Sequence, residues 1–203
     1  MMIKKFFSMV LMMALCLSLS ATALAADVWD GTADTDWHNT TDTAFTIDTA
    51  EKLAGLAKLV NDGTDLFSGD TITLAADLDL KEMQWTPIGN SSRSFQGTFD
   101  GGGYTISNLK IESAEQYVGL FGYIKNSTIQ NVVLESPDIT ATTSLAKASV
   151  GALVGYASGT GNVEYCAVRN GSVSAPNSTC ASTRSGLGGL VGCHDTSGNV
   201  IGC

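Results

Sequence analysis

Three aspartates in the first half of the chain, Asp77, Asp79 and Asp100, are the acids best placed to do chemistry, with Arg93 near them in sequence. Glycoside cleavage uses two carboxylates that flank one bond, ~5 to 9 Å apart. One protonates the leaving oxygen and the other attacks or activates water. Against this, Asp77 and Asp79 sit beside a turn, and Asp100-Gly101 is an ordinary turn pair. After residue 136 the only acids are Asp138, Glu164 and Asp195. A serine or cysteine nucleophile needs a histidine base. The chain has only His38, in the N-terminal region, and His194, beside Cys193. The HExxH zinc pattern is absent, and Gly101-Gly102-Gly103 lacks the lysine of a phosphate loop. The expectation is therefore a non-catalytic protein with no catalytic metal. The alternative is a polysaccharide lyase or hydrolase acting through Asp77, Asp79 or Asp100.

Trp29 and Trp37, in WDGTADTDW, are the candidate binding residues. They could form an aromatic platform for sugar with acidic partners. The favoured reading is that both indoles pack on the first strands while Asp30-Gly31 makes a turn. Asp34, Asp36 and Asp42 could ligate calcium, although the glycine and distal glutamate of an EF-hand loop do not follow.

These residues need a scaffold, and the scaffold is a repeat. Residues 117–134 read YVGLFGYIKNSTIQNVVL. Residues 150–168, VGALVGYASGTGNVEYCAV, and 187–203, LGGLVGCHDTSGNVIGC, copy the pattern. The closing glycines Gly122, Gly155 and Gly192 are 33 and 37 residues apart. Self-similarity at such a period marks units that bury their apolar faces only by stacking. The copies are short, β-branched and rich in glycine, without a helical period. Two strands per copy are expected. One covers 118–121, 151–154 and 188–191, and the other begins at Ile129, Val163 and Val200. The glycines inside the first strand allow a bend or a close backbone approach. A right-handed parallel β-helix fits, with adjacent strands ~4.8 Å apart and like residues above like.

The VGLFG, GALVG and GGLVG cores, followed by I-x-N-V or its variants, resemble the GLUG repeat of bacterial surface proteins. Residues 95–109, FQGTFDGGGYTISNL, resemble the block that leads into such repeats, which also occurs in the non-catalytic β-helical region of immunoglobulin-A protease-like metallopeptidases. The WDG opening is similar too, so the resemblance spans about residues 29–203. It implies architecture, a bacterial source and a surface location. It implies no proteolysis, because its motifs are glycines and core residues.

Cysteines repeat with the pattern. Cys166 and Cys203 each lie 11 residues after their glycine and should stack on adjacent strands, within reach of a disulfide. Val132 holds the same column in the first copy, which favours unbridged core thiols. Cys193, His194 and Cys203 have no recognised zinc spacing.

One helix is expected, at about 49–62. Asp48 and Glu51 have capping-box spacing, Leu53, Leu56, Ala57 and Val60 make one face, and Gly63 ends it. Its role would be to cover the open end of the stack. Ile72, Leu74, Leu78 and Leu80 share a face, residues 85–89 read as a turn-like link, and Tyr104, Ile106, Leu109 and Ile111 continue the strands. Domains are thus expected at 1–25 (signal peptide), 26–70 (N-terminal cap) and 71–203 (β-helix, with repeats near 117–136, 150–173 and 187–203).

Lys4 and Lys5, the apolar run 6–19 and Ala23-Leu24-Ala25 form a secretory signal, too short to span a bilayer comfortably. The formal charge of −9, more negative once Lys4 and Lys5 leave, argues against nucleic acid and anionic membranes as partners. The third copy stops in mid-strand, so a longer parent protein and self-association through an uncapped edge are expected. The function expected is a secreted stalk or adhesive scaffold. Its partner would be a host or cell-wall glycan or a surface protein.

Overall fold

The computed structural model describes residues 27–144, 147–178 and 185–203. The expected signal segment and Cys180 lie outside them. The described chain is built of short strands and one helix, Ala50–Asp62. The strands form five sheets, and every pairing between them is parallel.

Sheet one joins Ala44–Ile47, Thr71–Leu74, Thr98–Asp100, Thr128–Gln130, Asn162–Glu164 and Val200–Ile201. Sheet two joins Asp27–Val28, Leu78–Asp79, Thr105–Ser107, Val133–Glu135 and Ala167–Arg169. Sheet three joins Lys110–Ser113, Asp138–Ala141 and Ser172–Ser174. Sheet four joins Tyr117–Val118, Ser149–Gly151 and Gly186–Gly188. Sheet five joins Phe121–Lys125, Val154–Gly159 and Val191–Thr196. From Thr98 onward the chain visits sheets one to five in order, returns to one, and repeats the circuit.

Each repeat therefore holds five short strands, where the spacing of apolar residues predicts two longer ones. A bend in the middle of each predicted strand makes four, and Asp138–Ala141, with Ser172–Ser174 in the next circuit, adds the fifth. Asn131 and Tyr165 have φ of 54° and 53°, and they turn the chain between sheets one and two. Asn108, Ser136 and Asn170, at 56°, 54° and 53°, do so between sheets two and three. Asparagine takes this left-handed geometry readily, whereas serine and tyrosine do so rarely, so the pattern is hard to see in the residue types. The expected first strand bends as well. A Cβ on Gly155 would lie 2.7 Å from Val118 N and 2.8 Å from Gly122 O, and one on Gly192 would lie 2.4 Å from Val150 N. The closing glycines thus let sheets four and five meet at a tight corner.

The expected columns are present. Ile129 pairs with Val163, and Val163 with Val200, while Phe99 adds an earlier member below Ile129. The turn-like link at 85–89 is instead an early piece of the stack. Ile88 bridges to Phe121, and Gly122 N donates to Ile88 O at 2.8 Å. Strand pairing also begins before Thr71: Ala44–Ile47 pairs with Thr71–Leu74, and Asp27–Val28 with Leu78–Asp79.

The interior is apolar along its length and aromatic toward its beginning. Phe67 lies 6.3 Å from Phe95, and Phe121 lies 5.3 Å from Phe95 and 5.2 Å from Phe99, centroid to centroid. Ile72, Leu74, Leu78 and Leu80 are all buried, as their alternation predicts. The helix packs against Ala44–Ile47, the edge strand of sheet one, and buries Leu53, Leu56, Ala57 and Val60. Its N-cap is Thr49, whose side chain accepts from Lys52 N at 3.3 Å. Asp48 bonds Lys52 Nζ instead (2.7 Å), and Glu51 accepts from Asp30 N (3.3 Å), so the expected capping box does not form. Gly63, at φ 74°, ends the helix as expected.

Candidate functional site

The three candidate aspartates hold the repeats together. Asp77 accepts the Thr105 amide at 2.8 Å. Asp79 Oδ1 accepts from Lys81 N and Asn108 Nδ2, each at 2.8 Å. Asp100 accepts Gly102 N (2.9 Å) and Asn131 Nδ2 (3.0 Å) on Oδ1, and Gln130 Nε2 (2.7 Å) on Oδ2. Burial works against the charge of Asp100, but the bonds from Asn131, Gly102 and Gln130 prevail and hold its carboxyl below the usual range. A general acid needs the opposite shift. Asp79 lies on sheet two and Asp100 on sheet one. Arg93 donates to Asn61 O at 2.6 Å and is tied to the end of the helix.

The histidines and cysteines are likewise dispersed. His38 pairs with Asp65 at 2.9 Å among Trp37, Phe45 and Phe67. Cys193 is in register with Tyr156, and His194 with Ala157. Successive strand residues project to opposite faces, so Cys193 and His194 do not converge as a thiol–imidazole pair. Cys166 and Cys203 do stack, with Cys166 N donating to Cys203 Sγ at 3.4 Å, and both are free thiols. Burial pushes the Cys166 thiol up to about 11.

Both tryptophans pack against neighbouring rings. Trp29 is buried, meets Trp85 edge-on at 5.4 Å, and donates Nε1 to Thr32 O at 2.7 Å. Trp37 stacks on Phe67 at 6.0 Å and donates Nε1 to Asp34 O. The acids around them shape turns. Asp30 Oδ1 accepts Thr32 N and Oγ1, Asp34 Oδ1 accepts Asp36 N, and Asp42 Oδ2 accepts Asn39 Nδ2.

An aromatic cluster absent from the sequence reading lies where sheets four and five meet. The rings of Tyr117, Tyr123 and Tyr156 form a triangle with centroids 5.0 to 5.2 Å apart. Tyr156 is in register with Tyr123, and Tyr117 reaches over from the neighbouring sheet. Tyr156 donates its hydroxyl to Asp195 Oδ2 at 2.7 Å, and Ser158 Oγ donates to Tyr123 Oη at 3.1 Å. Burial and then the Asp195 bond raise the Tyr156 phenol well above its ordinary value. Beside Tyr117 is a hollow of about 380 Å³, whose wall includes Asn61, Asn90, Glu115 and Gln116. The shared Y at equivalent positions of LFGYI and LVGYA was the only signal in the sequence, and it shows one edge of the triangle.

Two known proteins are similar to the chain. A protein of Evansella cellulosilytica, named as a Gly-rich membrane protein, is 33% identical over 120 residues, 58% of this chain. Halomucin of Haloquadratum walsbyi is 32% identical over 135 residues, 61% of this chain. The matches span 14% and 1% of those proteins' own lengths. No family model matches the chain, and no solved structure matches it. Among the described residues, no helix is long and apolar enough to cross a membrane.

Proposed function

We propose that the chain is a right-handed parallel β-helix of the GLUG-repeat kind, exported by its N-terminal segment, and that it serves as a non-catalytic stalk or adhesive scaffold within a surface protein. The observation that carries this reading is the use made of the acids. Asp77, Asp79 and Asp100 each hold one repeat to the next, so the groups best suited to chemistry are engaged in structure. The cyclic order of parallel sheets supports a solenoid, a form that displays ligands along its length. The names of the two relatives, a membrane protein and a halomucin, agree with a place at the cell surface.

The test has two arms. Intact producing cells are labelled with a membrane-impermeant reagent and the chain is recovered; labelling supports surface display, and its absence removes that part of the reading. Purified chain is then incubated with a panel of polysaccharides and their ends are counted. Turnover abolished by Asp77→Asn, Asp79→Asn or Asp100→Asn would establish the enzyme instead.

A further inference from the structure

We propose that the groove beside Tyr117 binds an extended neutral saccharide, with the Tyr117 ring as its aromatic wall. This inference rests on the adhesive part of the function proposed above and names the site and ligand class.

The shape comes first. The hollow at Tyr117, about 380 Å³, adjoins a second of about 350 Å³, and the two share Asn61 and Thr86 in their walls. Each is near the lower end of the range for ligand sites, ~300 to 1,000 Å³. Together they favour a chain of rings over a single small molecule. The second hollow is walled in part by Trp29 and Trp85, but both indoles are buried, so the accessible ring of the groove is that of Tyr117.

The chemistry selects the ligand. The first hollow has a single charged side chain in its wall, Glu115, and no cation. In the second, Lys58 is paired with Asp62 at 2.6 Å. Neither wall holds a cation without an acidic partner, and Arg93, outside both, is tied to Asn61 O, which disfavours an anionic glycan or a phosphate. The polar groups instead offer donors and acceptors side by side, which is what hydroxyl groups need. Asn90 Oδ1 accepts from Ser92 N and Arg93 N, which leaves its NH₂ as a donor among the described residues. Gln116 donates Nε2 to Lys147 O at 3.2 Å, which leaves its carbonyl oxygen as an acceptor. Glu115 and Ser91 add a carboxylate and a hydroxyl.

The aromatic wall is held in advance of binding. Tyr117 is half-buried and braced by Tyr123 and Tyr156, and those two are fixed by bonds with Ser158 and Asp195. A rigid tyrosine gives large amphipathic contact at little entropic cost, and its ring face can cover the C–H face of a sugar. The side chains facing the ligand are therefore set before it arrives.

The experiment uses the secreted full chain and three probes: a β-1,4-linked glucose hexamer, a β-1,4-linked N-acetylglucosamine hexamer and a sulfated hexasaccharide. Binding is measured by calorimetry, and saturation-transfer NMR reads whether sugar protons receive magnetisation from aromatic ones. At least one neutral hexamer is expected to bind and the sulfated one to fail. Tyr117→Ala should weaken binding about tenfold or more, the size of effect for a truncated aromatic anchor. Tyr117→Phe should retain it. Ser91→Ala and Glu115→Gln, both at exposed positions, should each weaken it by a few fold without altering the melt, so the site stays testable even if Tyr117→Ala misfolds. Failure of both neutral hexamers to bind overturns the inference, as does preference for the sulfated one. Binding indifferent to every substitution except Tyr117→Phe, which is expected to retain it, overturns the site while leaving an adhesive role intact, and surface labelling is decided separately.

Discussion

Cys166 and Cys203 occupy one column of the stack, one repeat apart, with the amide of the first donating to the sulfur of the second at 3.4 Å. Cys166 is buried and Cys203 is exposed, although their chemistry is the same. Only the thiolate reacts readily, and burial holds the Cys166 thiol at about 11. Iodoacetamide at neutral pH is therefore expected to label Cys203 while Cys166 stays unmodified until the chain is denatured. Peptide mass spectrometry reads both sites, and equal labelling in the native state would contradict the column.

Gly155 sits where three backbone atoms crowd the position of a Cβ, the nearest at 2.7 Å, and Gly189 has nothing within 4 Å. Gly155→Ala is expected to cost about 2–4 kcal/mol, and Gly189→Ala to stay within about 0.5 kcal/mol of the wild type. Urea denaturation measures both. Equal effects would show that the corner between sheets four and five is not a close approach.

Asp100 supplies the pH dependence. Its carboxyl titrates below the ordinary 3.8 in the folded chain, so its contribution is present above that value and is lost as pH falls through the lowered folded one. Asp100→Asn would set an NH₂ or a single carbonyl against the donors Gln130, Asn131 and Gly102, at a cost of about 1–2 kcal/mol at neutral pH. The urea midpoint of the variant should also fall less steeply than that of the wild type below pH ~4. Parallel pH curves would rule out this account.

Asp30 and Asp34 have carboxylate oxygens turned onto nearby amides, as expected of turn residues. Chelation of calcium is expected to leave the melting temperature unchanged. A fall on chelation, restored by calcium, would make the 30–42 region a binding loop after all.

Much of this architecture is legible in the residues. The columns through Ile129, Val163 and Val200 and through Cys166 and Cys203 follow from spacing alone, because like residues must stack on like. Ile72, Leu74, Leu78 and Leu80 declare their buried face by alternation. The corners do not declare themselves. Tyr165 and Ser136 adopt left-handed geometry in places where neither residue type signals it, so one apparent strand becomes two. The member of the stack at Ile88 is hidden because proline and polar neighbours mask its likeness to Phe121. The Tyr117, Tyr123 and Tyr156 triangle depends on two sheets meeting, and no single stretch of sequence contains that relationship.

The register between repeats advances unevenly. Lys110 pairs with Asp138 and Tyr117 with Ser149, and in the next circuit Asp138 pairs with Ser172 and Ser149 with Gly186. The extra residues of each later repeat thus enter mainly between sheets three and four. Glu115 and Gln116 belong to that same connection in the first circuit, and they form part of the groove wall. The stack therefore separates what must stay constant from what can vary. The connection lengthens from one circuit to the next while the strand pairs on either side of it keep their parallel register. Such a stack can take up differences in length at one edge without relearning how to fold.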